Sequence, residues 1–164
     1  SNFANMPAQQ NETLNVVKIV KMAVDIFDEN YIQFSSDEEE IIAKLDRTQL
    51  IRVVTNLVKN ATQAIVEVES PYVMVTVSKD GEFVKMTVED NGVGIPLEFR
   101  DKVFEPKFTT KSSGMGLGLG MVKNIVETYK GTINFTSDTS KGTVFTVRFP
   151  IANAVGNIMD RIVQ

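Results

Sequence analysis

Apolar positions recur along this chain with two different periods, and the switches between them mark out its elements. Val17, Val20, Val24 and Phe27 fall at helical spacing. With Asn11 as a capping residue and Glu12 in the first turn, they predict a helix from Asn11 to about Asp28. Tyr31, Ile32 and Phe34 predict a short strand, and residues 35–40 a charged turn. Asp46, with Gln49 three residues later, forms a variant of the capping box. The helix it opens carries one apolar stripe of Leu50, Val54, Leu57, Ala61, Ala64 and Ile65. The period then drops to two: Val73, Val75 and Val77 alternate along 72–78, and Val84, Met86 and Val88 along 83–89. Asp80-Gly81 between these runs is a hairpin signal. Helical spacing returns with Val122, Ile125, Val126 and Tyr129, in a helix from 117 to 129 that stops at Lys130-Gly131. Strands are expected at 132–135 and 143–149, joined through Ser140-Lys141-Gly142. Helices and strands mix without strict alternation. The expected fold is therefore α+β, a two-layer sandwich of one sheet with helices on one face.

The two ends follow a different pattern. Residues 1–10 are polar with one proline and read as a linker, leaving 11–150 as the folded domain. In the tail, 151–164, Ile151, Val155, Ile158 and Ile162 recur at helical spacing. A short helix against a neighbour and an unordered terminus both fit that spacing.

Composition narrows the chemistry. The chain has 164 residues, 43% of them hydrophobic, enough for one domain with a sizeable core. A net charge of −4 without a long basic run argues against nucleic acid as a partner. The acidic run from Asp37 to Glu40 reads as a solvated surface. There is no Cys, which fits the cytoplasm, and no apolar run long enough to span a membrane, so no direct membrane contact is expected. There is also no His, which removes His-based triads and His metal ligands.

Six of the ten glycines crowd into 90–120. Glycine in a helix costs ~1 kcal/mol relative to alanine, so three at a helix start point to close backbone approach by a ligand. Bare N–H groups at a helix N-terminus suit phosphate. Asp90 ends a strand just before Asn-Gly-Val-Gly, and an ionised carboxylate only accepts hydrogen bonds. It would accept from the amine of adenine and face the carbonyl of guanine acceptor to acceptor, which predicts ATP over GTP. Asn56, Asn60 and Gln63 make a polar stripe on the helix that Asp46 opens. Two mid-helix asparagines fit a helix flanking a charged pocket, and an asparagine oxygen suits Mg²⁺ with its waters and phosphates. The segment from Phe104 to Ser113 carries Lys107, Thr109, Thr110, Lys111, Ser112 and Ser113, donors for phosphate oxygens on a hinged lid.

These stretches together resemble a known family. N-L-V-K-N-A (56–61), D-N-G-V-G-I (90–95), F-E-P-K-F-T-T-K (104–111), G-M-G-L-G-L-G (114–120) and G-T-V-F (142–145) resemble, in order and spacing, the N, G1, F, G2 and G3 boxes of sensor histidine kinase catalytic domains. The likeness runs from about Asn11 to Pro150. The opening S-N-F-A-N-M-P is similar to the end of the dimerisation helix in nitrogen-regulation-type kinases.

The resemblance implies the Bergerat ATP-binding fold, with ATP and Mg²⁺ as cofactors. It implies Asp90 on the adenine amine, Thr143 assisting through a water, Asn60 on Mg²⁺, and the backbone of Gly116, Leu117, Gly118 and Leu119 on the phosphates. Gly92, Gly94, Ile95, Thr109, Thr110, Gly114 and Met115 complete the expected ATP site, with Asn56 beside Asn60. Lys107 and Lys111, together with Asn56, are the expected catalytic residues. Related chaperone, mismatch-repair and gyrase ATPases carry Glu where this chain has Asn56. Asparagine cannot act as a general base at neutral pH, which favours transfer over hydrolysis. Two positions depart from the pattern: Lys107 stands where an aromatic is frequent, and Gly120 where Ala is common, a change expected to loosen the helix start. The implied partners are a phosphoacceptor-His dimerisation domain, outside this chain, a response regulator, and a second copy in the full-length protein. The parent would be cytoplasmic, with anchoring in an inner membrane left open. A non-catalytic ATP-sensing module and an anti-sigma-type serine kinase are the alternatives.

Overall fold

The computed structural model describes residues 8–106 and 118–151. Strand β1 (Asn11–Asn15) leads into helix α1 (Val16–Asp25), followed by β2 (Ile32–Ser36), β3 (Ile42–Asp46) and the long helix α2 (Arg47–Ala64). The hairpin β4 (Val73–Asp80) and β5 (Phe83–Asp90) comes next, then a 3-10 turn at Leu97–Phe99. Helix α3 (Leu119–Thr128) and strands β6 (Thr132–Asp138) and β7 (Gly142–Pro150) complete the order.

Five strands form one mixed sheet in the order β2-β4-β5-β7-β6, in which β2 runs parallel to β4 and the other pairs are antiparallel. The period-two alternation decides which face is buried. Val73, Val75, Val77, Val84, Met86, Val88, Phe145, Val147 and Phe149 all point into the core, while their neighbours along each strand are half-exposed or exposed. The helices cover the buried face: α1 packs on α2, α2 on α3, and all three reach the sheet. The α+β sandwich expected from the pattern is the observed architecture.

The N-terminal part differs from the expectation. The helix begins at Val16, not Asn11, and ends at Asp25. Its cap is Asn15, whose Oδ1 accepts the Val17 N–H at 3.1 Å and the Ile41 N–H at 3.2 Å. Residues 11–15 instead pair antiparallel with β3, Leu14 opposite Ala43, in a separate two-stranded ribbon. Leu14, Ile41, Ala43 and Leu45 are all buried. An extended strand with one apolar side buries Leu14 where a further helical turn would not, and this outweighs the capping pattern at Asn11-Glu12. The ribbon delivers Asp46 to the start of α2, where its Oδ1 accepts the Gln49 N–H at 3.0 Å, as the capping box predicts. The later strands also run past their expected ends: β6 extends through Asp138.

Candidate active site

A cavity opens between the helices and the sheet, lined by Asn60, Ala61, Ala64, Asp90, Ile95, Leu119, Thr143 and Phe145. It draws on α2, the end of β5, the loop after it, the first residue of α3 and the start of β7. Three residues of the N, G1 and G3 boxes, Asn60, Asp90 and Thr143, thus line one cavity, the first from the helix layer and the other two from the sheet, and all three are buried.

Asp90 ends β5 and is 6% exposed. The Gly92 N–H donates to its Oδ1 at 2.8 Å, and the Thr143 N–H, opposite it in the β5–β7 register, donates to the same carboxylate. Burial is the largest influence and raises its pKa from 3.8 to about 6; the two N–H donors pull it back and the neighbouring Glu89 pushes it further up. The carboxyl is thus half-neutralised near pH 6 and an acceptor above it. The loop that follows is tied down on both sides. Val93 N–H donates to the Ala64 carbonyl at 3.1 Å, Asn91 bridges to the Tyr72 N–H and the Ser70 carbonyl at 2.8 Å each, and Ile95 N–H donates to Ser137 Oγ at 2.7 Å. Gly94 turns this loop at φ +72°.

Asn60 lies on the face of α2 that meets the cavity. Among the described residues its side-chain Nδ2 is buried without a hydrogen-bond partner, as is Oε1 of Gln63. An unpaired buried amide costs about 1–3 kcal/mol, so the described residues leave polar groups here for a further partner to match. Asn56, one turn earlier, donates from Nδ2 to the Arg52 carbonyl at 2.8 Å. That bond leaves its Oδ1 directed at Gly118, where a Cβ would approach to 2.5 Å.

Gly118 therefore has two reasons to lack a side chain: this contact and a left-handed φ of +82°. It is the N-cap of α3, and no side chain caps the helix there. Gly118 offers no side chain to the first-turn N–H groups of α3, and such a helix start suits an anionic acceptor. Gly120 also has a packing reason. A Cβ there would stand 2.9 Å from the Phe104 carbonyl, so glycine lets the F-box backbone close on α3, a role the expected loosening does not describe. Phe104 in turn stacks edge-on against Phe135 and Phe145, with Lys123 over its ring at 5.2 Å. The expected contacts Lys107, Thr109, Thr110, Lys111, Gly114, Met115, Gly116 and Leu117 lie outside the described residues, as does the tail from 152.

Ser137, Ala61, Ala64 and Phe145 join the site without having been singled out from the sequence for a ligand role. The position of Ser137 across the hairpin from Thr143 emerges only with the pairing of β6 and β7, because the strand expected at 132–135 stops short of it. Among the described residues no group of three or more acidic side chains converges as a metal site.

The chain is similar to known proteins in sequence and in fold. A family model described as histidine kinase-, DNA gyrase B- and HSP90-like ATPase matches residues 45–153. A putative NtrY-like sensor histidine kinase of Rickettsia conorii is 34% identical over 91% of this chain and 26% of its own length. The sensor histidine kinase ZraS of Escherichia coli is 40% identical over 73% of this chain and 25% of its own. The chain thus spans about a quarter of the length of the curated relatives it matches. Among solved structures, the catalytic domain of histidine kinase ThkA superposes with a TM-score of 0.78 at 29% identity, covering 87% of this chain and 97% of that one.

Proposed function

The chain belongs to the family of histidine kinase-, DNA gyrase B- and HSP90-like ATPases, and from that premise we propose that it is the ATP-binding catalytic domain of a sensor histidine kinase, passing the γ-phosphoryl group to a histidine on a dimerisation domain. The observation that carries this reading is Asp90. It is a carboxylate buried at a strand end and held by two backbone N–H donors. It stands in one cavity with an unpaired asparagine amide.

Asp90 accepts from the adenine amine, and Thr143 supports it. The uncapped start of α3, at Gly118 and Leu119, meets the phosphates together with the preceding glycine box from Gly114. Asn60 fits Mg²⁺. Its amide is buried against the cavity with one end unmatched, and a half-turn of the amide presents oxygen in place of nitrogen. Mg²⁺ accepts a single protein oxygen when phosphates and waters supply the rest. When bound, the metal neutralises charge on the phosphates. Asn56 holds the neighbouring turn against Gly118 and, lacking a basic group, does not activate water. Lys107, Lys111, Thr109 and Thr110 supply cations and hydroxyls to the phosphate tail. Positioning and charge stabilisation are most of what phosphoryl transfer asks of a protein.

The partners are a phosphoacceptor domain, a second copy of the full-length kinase and a response regulator. ThkA has been solved in complex with the response regulator protein TrrA, a fold-level parallel that supports the last. No helix among the described residues is long and apolar enough to cross a membrane, in keeping with a domain that works on the cytoplasmic side.

The test mixes the chain with labelled ATP, Mg²⁺ and a separately made acceptor-helix fragment of the parent protein. Acid-labile label on the fragment is the expected result. Acid-stable label would assign the chain to serine kinases, and binding without transfer would make it a nucleotide-sensing module.

A further inference from the structure

Ser137 sits on β6 across from Thr143, and its hydroxyl oxygen is engaged on three sides. It accepts the Ile95 N–H at 2.7 Å, lies 2.8 Å from Thr143 Oγ1 and 3.4 Å from the Gly142 carbonyl. A serine hydroxyl has one proton to give. Of its two possible acceptors, Thr143 Oγ1 stands at the usual O–H···O distance and the carbonyl well beyond it. Either hydroxyl of the pair can be the donor; the arrangement in which Ser137 gives its proton to Thr143 uses the shorter of its two contacts. In that arrangement Thr143 Oγ1, filled as an acceptor from that side, keeps its own proton for another partner. Thr143 is 4% exposed and lines the same cavity as Asp90, and its backbone N–H is already committed to the Asp90 carboxylate.

We propose that Ser137 is a specificity-determining positioning residue, whose hydroxyl fixes that of Thr143 as a donor beside the Asp90 acceptor. The inference rests on the adenine reading above and deepens it. Adenine presents an amine donor next to the N1 acceptor on one edge. Guanine and hypoxanthine present a carbonyl next to an N1–H, the reverse order. An acceptor alone reads one of these two atoms. An acceptor with a donor of fixed polarity reads both where the Thr143 hydroxyl meets N1 directly. The same Ser137 oxygen also holds the loop that carries Gly92 and Gly94, so the polarity of the reader and the position of the loop depend on one side chain.

The test compares ADP with 1-deaza-ADP, which lacks the N1 acceptor, by calorimetry in Mg²⁺ on the unaltered chain and on Ser137→Ala, Ser137→Cys and Ser137→Thr. The unaltered chain should bind ADP about tenfold more tightly than the deaza analogue, the worth of one buried hydrogen bond. In Ser137→Ala that ratio should shrink to roughly threefold or less. Ser137→Cys keeps the volume but has only a weak sulfur donor and acceptor; it should follow Ala, and it carries the test should the Ala variant fail to fold. Ser137→Thr keeps the hydroxyl and should restore the full ratio. A purely structural role for Ser137 would weaken both nucleotides alike and leave the ratio unchanged, which overturns the inference, as would the absence of any deaza penalty in the unaltered chain. If the unaltered chain binds no ADP, it is the adenine reading that fails.

Discussion

Asp90 answers to two opposing demands. Desolvation favours its neutral form, while the role proposed for it needs the anion. Its carboxyl is raised from 3.8 to about 6 by burial, less the pull of the Gly92 and Thr143 N–H groups and with a further push from Glu89. Because the folded pKa lies above the unfolded one, the folded chain binds the extra proton between about pH 4 and 6. This group's contribution to stability is therefore largest below pH 4 and declines as pH rises through 6. Nucleotide binding should run the other way. At pH 5 only about a tenth of a carboxyl with a pKa of about 6 is ionised, so ADP affinity should drop roughly tenfold between pH 7 and pH 5. Calorimetry across that range checks it, and a flat profile would contradict the role. Asn60 offers a second contrast at this scale. Its buried Nδ2 lacks a partner among the described residues, so Asn60→Ala removes a polar group unmatched there and gains helix propensity. Its melting temperature should stand at or above that of the unaltered chain while Mg²⁺-dependent phosphotransfer is lost. A large fall in melting temperature, or full transfer, would show that the side chain does something else.

Between elements, the clearest tie runs from the end of α3 to the start of α2. The Tyr129 hydroxyl accepts the Asp46 N–H at 3.0 Å and lies 2.9 Å from both Asn11 Oδ1 and Gln49 Oε1, to either of which it can donate. Asp46 caps α2 with one oxygen and takes the Gln10 N–H at 2.8 Å with the other. Tyr129→Phe leaves the Asp46 N–H without its acceptor and should cost about 1–3 kcal/mol, read from urea unfolding; a change within error would mean that water replaces the phenol. At the other end of α3, Gly118→Ala places a methyl group against Asn56 in a left-handed turn. It should weaken ADP binding well beyond any loss in melting temperature.

This scale also shows what the sequence could and could not reveal. The β4–β5 hairpin, β7, and α2 with its Asp46 cap stood out because periodicity, turn residues and cap agree there. The β1–β3 ribbon did not. Asn11-Glu12 looks like a helix start, and only the pairing of Leu14 with Ala43, a long-range contact, makes that segment extended. Asp90, Asn60 and Thr143 were legible as candidates from their boxes. Ser137 was not, because its role exists only once β6 and β7 are in register.

Over the whole molecule, the sheet fixes Asp90, Thr143 and Ser137 in one rigid frame, and the helices bring Asn56, Asn60 and Gly118 to it from the other layer. The core under the sheet is continuous, with Val73, Val75, Val77 and Val147 fully buried, so the two halves of the site are held by the same packing. A ligand that bridges the layers should stabilise the fold as one unit: ADP at a hundred times its Kd should add about 2.7 kcal/mol to the unfolding free energy. The most direct measurement is a calorimetric titration of Mg²⁺ and ADP into the folded chain and into Asp90→Asn. The account predicts binding by the unaltered chain and a tenfold or greater loss in the variant, the worth of roughly 1.5–3 kcal/mol for a hydrogen bond to a charged group. Equal affinity in the two, or no binding to the unaltered chain at millimolar nucleotide, would contradict it.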